Sequence, residues 1–310
     1  MDSKVSDKSK TQTTVNSDVM RITVPANTRM SKPMTLTNEL KGGEDTEVNR
    51  VQIKLGCGAE AAILMTDRAV TKEDIHHISD IEVIMEEGAH LDMYELEETH
   101  TRCHRQSRLV FHVGRNCTLS HTNITLFNGE TENRINVLLE GEHSEVTLNG
   151  CVVIDKNQKV DNITLIDHQQ PNCVSHELYK YVVDGESRGG FDGKILVRPG
   201  AQNTVSTETN NNICASHQAR MNTKPVLEIY ADDVRCSHGS TVGVLDENAL
   251  FYMQQRGLSV ADARMLLMYA FVGQVIDSIR LAPLRDRLHM LVEKRLRGEL
   301  DKCIGCALCK

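Results

Sequence analysis

Two short cysteine motifs are the parts of this sequence whose residue types and spacing could do chemistry. In the first, one residue separates Cys236 from His238. Residues i and i+2 of a β-strand point to the same face, so a strand would place this thiol and imidazole side by side. Both groups are good ligands for iron, zinc and copper. A metal site usually takes three or four ligands, so the others would have to come from elsewhere, including another chain.

The alternative interpretation of this pair requires no metal. Cys236 would then be a small buried thiol, and His238 would form a hydrogen bond with the backbone. Short motifs match by chance often, and the spacing by itself favours this second interpretation. The choice depends on where the surrounding elements place the pair.

The second motif is the C-terminal tail, where Cys303, Cys306 and Cys309 follow the spacing Cys-x2-Cys-x2-Cys. This spacing resembles the first three ligands of a bacterial ferredoxin cluster loop. Such a loop continues to a fourth cysteine followed by proline, which does not follow Cys309 here. The tail is therefore either a three-thiolate metal or cluster site that borrows a ligand or leaves one position open, or a mobile segment that takes up metal incidentally.

The overall composition argues against several classes of protein. The 310 residues carry a formal net charge of −8, which is unfavourable for generic binding to nucleic acid. No stretch approaches the ~18 apolar residues of a membrane span, and the N-terminus lacks the apolar core of a secretory signal. We therefore expect a cytoplasmic protein whose ten cysteines are thiols or metal ligands. Without a G-x4-G-K-[ST] loop, we expect no nucleotide to bind this chain.

The elements that must position the first motif begin with a long region of alternating apolar and polar residues, from Met20 to about residue 243. A similar turn recurs within it at intervals of about 26 to 30 residues, beginning at Gly58, Gly88, Gly114, Gly141, Pro171 and Gly200. A repeat of this length without a helix is typical of a parallel β-helix, in which each coil stacks on the next. An ordinary β-sandwich or barrel with evenly spaced strands is the alternative.

After Gly243 the pattern becomes helical. We predict a helix from about Glu247 to Gln255 that is capped by Asp246, a second after Ser259 and a third beginning at Pro283. The predicted organisation is a disordered lead (1–19), a β-helix (20–243), a small C-terminal α-helical domain (244–300) and a Cys-rich tail (301–310).

The last predicted coil contains Val226–Tyr230 and Val234–His238. The end of a β-helix is an exposed sheet edge, and an uncovered edge invites pairing with another chain. We therefore predict that this end pairs with a second β-helix, which would place Cys236 and His238 near a subunit interface.

The run LEIYADDVRCSHGSTVGVLDENALFYMQQRGL, from Leu227 to Leu258, resembles the signature of the SufB/SufD family of iron–sulfur cluster assembly proteins. The shared features are Cys-Ser-His-Gly after a strand, Leu-Asp-x-x-x-Leu-Phe-Tyr, and an Arg-Gly before the next helix. The resemblance is specific from about Thr223 to Ile279. Within the family the sequence is more similar to SufD, because Gly239 follows the histidine where the SufB version tends to have glutamate.

This resemblance implies a right-handed parallel β-helix with a small C-terminal helical domain. It implies a non-catalytic scaffold subunit of a SufBCD-type complex, in which a SufC-like ATPase docks on the C-terminal helices and hydrolyses ATP. The C-terminal coils would pair with a SufB-like β-helix protein, or with a second copy of this chain. His238, with Cys236 beside it, would be a ligand of a transient iron–sulfur cluster or of iron.

Two other functions compete with this expectation. The first is a SufB-like scaffold that works as a homodimer. The second is a β-helix carbohydrate-active protein, which the absence of Trp and of a secretory signal disfavours. Family members usually carry an N-terminal helical domain, and the short polar lead is not one. The Cys303–Cys309 tail is not part of the family signature.

Overall fold

A computed structural model describes residues 12–16, by their backbone only, and residues 19–299. The first strands are β1 (Gln12–Asn16), β2 (Val19–Val24), β3 (Met34–Leu40), β4 (Glu47–Leu55), β5 (Glu60–Ala69), β6 (Ile75–Met85), β7 (His90–Glu98), β8 (Cys103–Val113) and β9 (Thr118–Phe127). They are followed by β10 (Glu130–Leu139), β11 (Glu145–Ile154), β12 (Lys159–His168), β13 (Val174–Val183), β14 (Arg188–Val197), β15 (Thr204–Cys214), β16 (Arg220–Ile229) and β17 (Val234–Gly243). The helices are α1 (Glu247–Gln255), α2 (Val260–Asp277) and α3 (Ala282–Leu296).

The strands of the described residues form a β-solenoid with two sheets. The even-numbered strands β2 to β16 pair in parallel in one sheet, and the odd-numbered strands β3 to β17 pair in parallel in the other. Each coil contributes one strand to each sheet, so the sixteen strands from β2 to β17 make eight stacked coils. The predicted parallel β-helix is confirmed. The sandwich or barrel alternative is wrong, because strands two apart in sequence pair in parallel along the whole region.

The recurring turn has a simple physical origin. In seven coils the residue at this turn has a left-handed backbone with φ between 54° and 70°, and these residues are Asn27, Gly58, Gly88, Asn116, His143, Asn172 and Asn203. Glycine and asparagine adopt this conformation at low cost. The N–H of Gly58 donates to the carbonyl of Glu87 in the next coil at 2.8 Å, and the N–H of Gly88 donates to that of Arg115 at 2.8 Å. The turns therefore stack in register with the strands.

The interior of the solenoid contains both apolar clusters and buried polar side chains. One apolar cluster follows the axis from Ile22 to Cys173. Beside it a chain of buried hydrogen bonds crosses several coils: Arg105 donates to Asp67 and Asn133 at 2.6 Å each, Asn133 donates to Asn162 at 2.9 Å, and Asn162 donates to the Tyr181 hydroxyl at 2.5 Å. These bonds satisfy groups that would otherwise be costly to bury.

Helices α2 and α3 cover the outer face of the odd-numbered sheet. Val272 and Ile276 of α2 and Leu288 of α3 belong to one apolar cluster with Ile124 and Leu126 of β9. The predicted helices and the packing role of their apolar stripe are confirmed. None of the three helices in the described part of the chain is both long and apolar enough to span a bilayer.

The N-terminal lead differs from expectation where the structure describes it. Residues 12–16 form β1, which pairs antiparallel with β2, so the prediction of disorder is wrong for these five residues. The physical reason is that β2 would otherwise present an unpaired edge. Residues 1–11 and 17–18 lie outside the described residues.

Candidate interface metal site

The candidate ligands Cys236 and His238 lie on β17, at the open end of the solenoid. β17 is the last strand of the odd-numbered sheet, with β15 as its only neighbour in the described residues, and β16 ends the even-numbered sheet in the same way. The last coil therefore presents two adjacent strand edges without a strand partner in the described chain. Such edges carry unpaired N–H and C=O groups that can pair with another strand.

Strand register shows which way the two side chains face. Cys236 pairs with Ser206 and His238 pairs with Glu208, and both of those β15 residues are fully buried on the inner side of their coil. Because side chains at paired positions share a face, Cys236 and His238 both face the axis of the solenoid. The predicted side-by-side arrangement of thiol and imidazole is confirmed, with Cα atoms about 7 Å apart along the strand.

The two groups differ in exposure. Cys236 is half-buried and packs in a small apolar cluster with Leu227, Ile195 and Val234. Burial raises the pKa of this thiol, and a backbone hydrogen bond from Ser206 partly opposes the shift. His238 is exposed, because it lacks the cover that this cluster gives Cys236 and because no further coil in the described chain stacks on β17.

The site is incomplete within the described part of the chain. No group of three or more His, Cys, Asp or Glu side chains in residues 19–299 is arranged to hold a metal ion. The structure thus brings Cys236 and His238 to one face and supplies them with no third described ligand. Cys303, Cys306 and Cys309, the other predicted ligands, lie outside the described residues.

Exposed apolar side chains concentrate around this end. Eight of the twelve large hydrophobic residues that are exposed in the described chain lie between residues 229 and 266: Ile229, Tyr230, Val242, Val244, Phe251, Tyr252, Val260 and Leu266. Helix α1 contributes two of them and has no buried residue. A patch of this kind beside unpaired strand edges is typical of a protein interaction surface.

Sequence reasoning missed two carboxylates next to this site. Glu208 of β15 and Glu177 of β13 are paired neighbours and are almost completely buried. Burial, together with the nearby Glu208 carboxylate, raises the pKa of Glu177 to about 8, and burial with a contribution from Asp192 raises that of Glu208 to about 7. The available signal was their position at inward-facing places of alternating strands, where a charged residue is unexpected.

Comparison with known proteins gives a match that covers most of the solenoid and the start of the helical region. Residues 37–271 match the family model for the SUF system FeS cluster assembly SufBD core domain. The iron–sulfur cluster assembly protein SufD of Escherichia coli is 30% identical over 286 residues, which cover 90% of this chain and 67% of that protein. A SufBD family protein of Synechocystis is 33% identical over 64% of this chain and 45% of its own length. One from Mycobacterium leprae is 28% identical over 93% of this chain and 72% of its own length.

Fold and site together define a β-solenoid protein whose last coil has no further strand partner in the described chain and carries a thiol and an imidazole on its inner side. The family match covers most of the solenoid and continues into α2. The chain belongs to the SufBD family of iron–sulfur cluster assembly proteins. The resemblance noted in the sequence is therefore confirmed.

Proposed function

We propose that this chain is a SufD-like scaffold subunit of an ATP-dependent SufBCD-type complex in the cytoplasm. The observation that carries the proposal is the placement of Cys236 and His238 on the inner side of the last coil, beside two strand edges with no partner in the described chain. A second β-solenoid added to these edges would complete the ligand set from its own residues. The chain's chemistry would be ligation of iron or of a transient cluster, with no catalytic step and no bound nucleotide.

The partner at the strand edges would be a SufB-like β-helix protein. Pairing through backbone N–H and C=O groups gives affinity, and the exposed Ile229, Tyr230 and Val242 supply apolar area at the same end. A second copy of this chain could use the same edges, since they would form a self-complementary contact. Expression of this chain alone distinguishes the two, because a stable dimer under those conditions favours the SufB-like homodimeric scaffold. Membership in the SufBD family argues against the third possibility, a β-helix carbohydrate-active protein.

The ATPase would dock on the C-terminal helices. Phe251 and Tyr252 of α1 are exposed, so the rest of the described chain leaves this face of the helix uncovered. We expect Phe251→Asp to release a SufC-like ATPase from the complex while the SufB-like partner stays bound. Met290→Asp, a change at an exposed residue of α3, is the matched control for adding a charge to the helices. Retention of the ATPase by the Phe251 variant would argue against this docking site.

The central experiment is co-expression with SufB-like and SufC-like partners, followed by anaerobic iron and sulfide analysis. We expect His238→Ala to lower the bound sulfide at least tenfold, because the cluster would lose the imidazole that this chain offers it as a ligand. The complex should still assemble, since His238 is exposed and contributes no buried contact. His217→Ala, which removes another exposed histidine at the same end of the solenoid, is the control. Normal cluster content in the His238 variant would contradict the assignment.

The same preparation tests the tail. A chain that lacks residues 303–309 removes Cys303, Cys306 and Cys309 and leaves the solenoid unchanged. If these thiolates hold metal, the truncated chain loses iron that the His238 variant retains. If the tail takes up metal only incidentally, its removal leaves iron and sulfide content at the wild-type value.

A further inference from the structure

Six carboxylates are fully buried in the described residues, and four of them have clear partners. Asp67 accepts from Arg105 at 2.6 Å, and Asp167 accepts from Arg198 at 2.9 Å. Glu95 contacts His121 at 3.0 Å, and Glu97 accepts from Thr99 and Thr131. The remaining two, Glu177 and Glu208, have no hydrogen-bonding partner among the described residues for any of their four carboxylate oxygens.

These two carboxylates are next to each other. Glu177 on β13 and Glu208 on β15 are paired residues of adjacent coils, so their backbones are about 4.8 Å apart. Both side chains face the interior and are exposed by only 2% and 1%. Two buried negative charges at this separation repel each other strongly in a low-dielectric interior.

The opposite sheet leaves room for the pair and adds oxygen atoms. Gly193 occupies the inward position facing Glu208, and a Cβ there would lie 2.7 Å from the Glu208 carboxyl carbon. One coil away, Thr164 pairs with Gly193. The Thr164 hydroxyl is buried and has no hydrogen-bonding partner among the described residues. The same is true of the Tyr179 hydroxyl, which lies on the same strand as Glu177. Thr164 lies near enough to Glu177 to lower the pKa of that carboxyl against the larger effect of burial.

No side chain in the described part of the chain neutralises the pair. Burial of an uncompensated carboxylate is costly, so either a proton or a cation accompanies it. One coil separates the pair from the end of the solenoid, and in that coil the residue paired with Glu208 is His238. His238 is exposed, so a single coil separates the pair from solvent at that end.

We propose that the juxtaposed carboxylates of Glu177 and Glu208, with the Thr164 hydroxyl, bind one divalent cation inside the solenoid. Oxygen ligands of this kind suit Mn²⁺, Mg²⁺ and Fe²⁺, in contrast to the soft thiolate of Cys236. In a protein that assembles iron–sulfur clusters the cation is ferrous iron, held one coil below His238 before transfer to the interface. That second statement rests on the proposed function, whereas cation binding by the pair does not.

The test uses the full chain and Mn²⁺ alone as the probe. Binding is followed by the loss of the electron paramagnetic resonance signal of free Mn²⁺ during a titration. The wild type should bind one equivalent that Glu177→Gln and Glu208→Gln each weaken at least tenfold, since glutamine keeps the side-chain size and removes the charge. Glu186→Gln is the matched control, because it makes the same change at an exposed carboxylate in the turn before β14. Circular dichroism establishes that each variant is folded.

Two results would overturn the proposal. One is equal Mn²⁺ binding by the wild type and both glutamine variants. The other is the absence of saturable binding by the wild type, in which case a proton neutralises the pair. His238→Ala separates the two proposals, because it should lose cluster assembly and keep the Mn²⁺ equivalent. A His238 variant with normal assembly contradicts the proposed function and leaves the cation site standing.

Discussion

At the level of single residues, a small side chain in one coil lies against a large one at the paired inward position of the next coil. Gly150 of β11 pairs with Tyr179 of β13, and a Cβ at residue 150 would lie 2.0 Å from a ring atom of Tyr179. The tyrosine ring thus lies directly over the glycine. Such close packing leaves no space for even one added methyl group.

We expect Gly150→Ala to destabilise the protein by about 1–3 kcal/mol, because the Tyr179 ring must move within a filled interior. The measurement is the free energy of unfolding from denaturant titration. Gly239→Ala is the control, since a Cβ at that position of β17 meets no atom within 4 Å. Equal stability of the two variants would show that the coils can separate to accept the methyl group.

The buried side chain of His168 makes the stability of the fold depend on pH. Its Nε2 lies 2.9 Å from the Ser175 hydroxyl, and burial lowers its pKa to about 4 against the opposing effect of Asp167. Between about pH 6.5 and pH 4 the unfolded chain binds a proton at this residue that the folded chain does not. The contribution to stability is therefore fully present above pH 6.5 and is lost as the pH falls towards 4.

In the wild type, His168 should lower the free energy of unfolding by about 3 kcal/mol between pH 7 and pH 4. We expect this decrease to be absent from the His168→Gln variant. Unfolding curves of the wild type and the variant at both values measure the difference. His217→Gln changes an exposed histidine and should leave the pH dependence unaltered. Parallel pH profiles for the wild type and the His168 variant would rule out this residue as the source.

At the scale of elements, the three helices are held in different ways. Helix α2 buries residues such as Val272 and Ile276 against the sheet, whereas α1 buries none. The stability of α1 therefore depends more on its local contacts, above all on Asp246, whose carboxylate accepts from the N–H groups of Asn248 and Ala249 at 2.8 and 3.1 Å. A helix held mainly by its cap is well suited to be ordered further by a partner.

We expect Asp246→Ala to weaken α1 by about 1 kcal/mol and to leave the solenoid unchanged. Hydrogen exchange should become several-fold faster in residues 247–255 only. Ser259→Ala removes the cap of α2 and serves as the comparison, because tertiary packing should limit its effect on exchange. If the two substitutions accelerate exchange equally in their own helices, α1 does not depend on its cap more than α2 does.

At the scale of the whole molecule, the helices and the solenoid share one apolar cluster. Strands β7, β9, β11 and β13 contribute residues to the same cluster as α2 and α3. Polar contacts support the same interface, since Lys180 donates to the Phe271 carbonyl at 3.0 Å and Arg295 to Asp155 at 2.8 Å. The predicted C-terminal helical domain therefore depends on the solenoid for its packing.

We expect Val272→Asp to destabilise the molecule by about 3 kcal/mol or more, because it places an unpaired charge in that cluster. Thermal unfolding should show a lower transition temperature for the strand signal as well as for the helix signal. Met290→Asp on the exposed side of α3 should change neither. A separate, earlier helix transition with an unchanged strand transition would mean that the helices unfold independently.

Local sequence patterns were enough to predict most of the secondary structure of this protein. Alternation predicted the strands, the recurring turn predicted the coils, and the caps at Asp246 and Ser259 predicted two helix starts. These features depend on residues close in sequence, where backbone conformation and side-chain direction are set by neighbours. The Cys-x-His spacing likewise predicted that Cys236 and His238 share a face, and the surrounding run identified the family.

Only the tertiary structure decided which strands end the sheets and what lies inside them. The alternating pattern predicts that Glu177 and Glu208 face one side of their strands. The pairing of stacked coils then buries them next to each other, with no hydrogen-bonding partner among the described residues. Stacking covers β17 on one side only in the described chain, and there Cys236 is half-buried because it packs with Ile195 and Leu227, whereas His238 is exposed. Burial in a solenoid depends on the coils above and below each residue, about 30 residues away in sequence, and no local pattern contains that information.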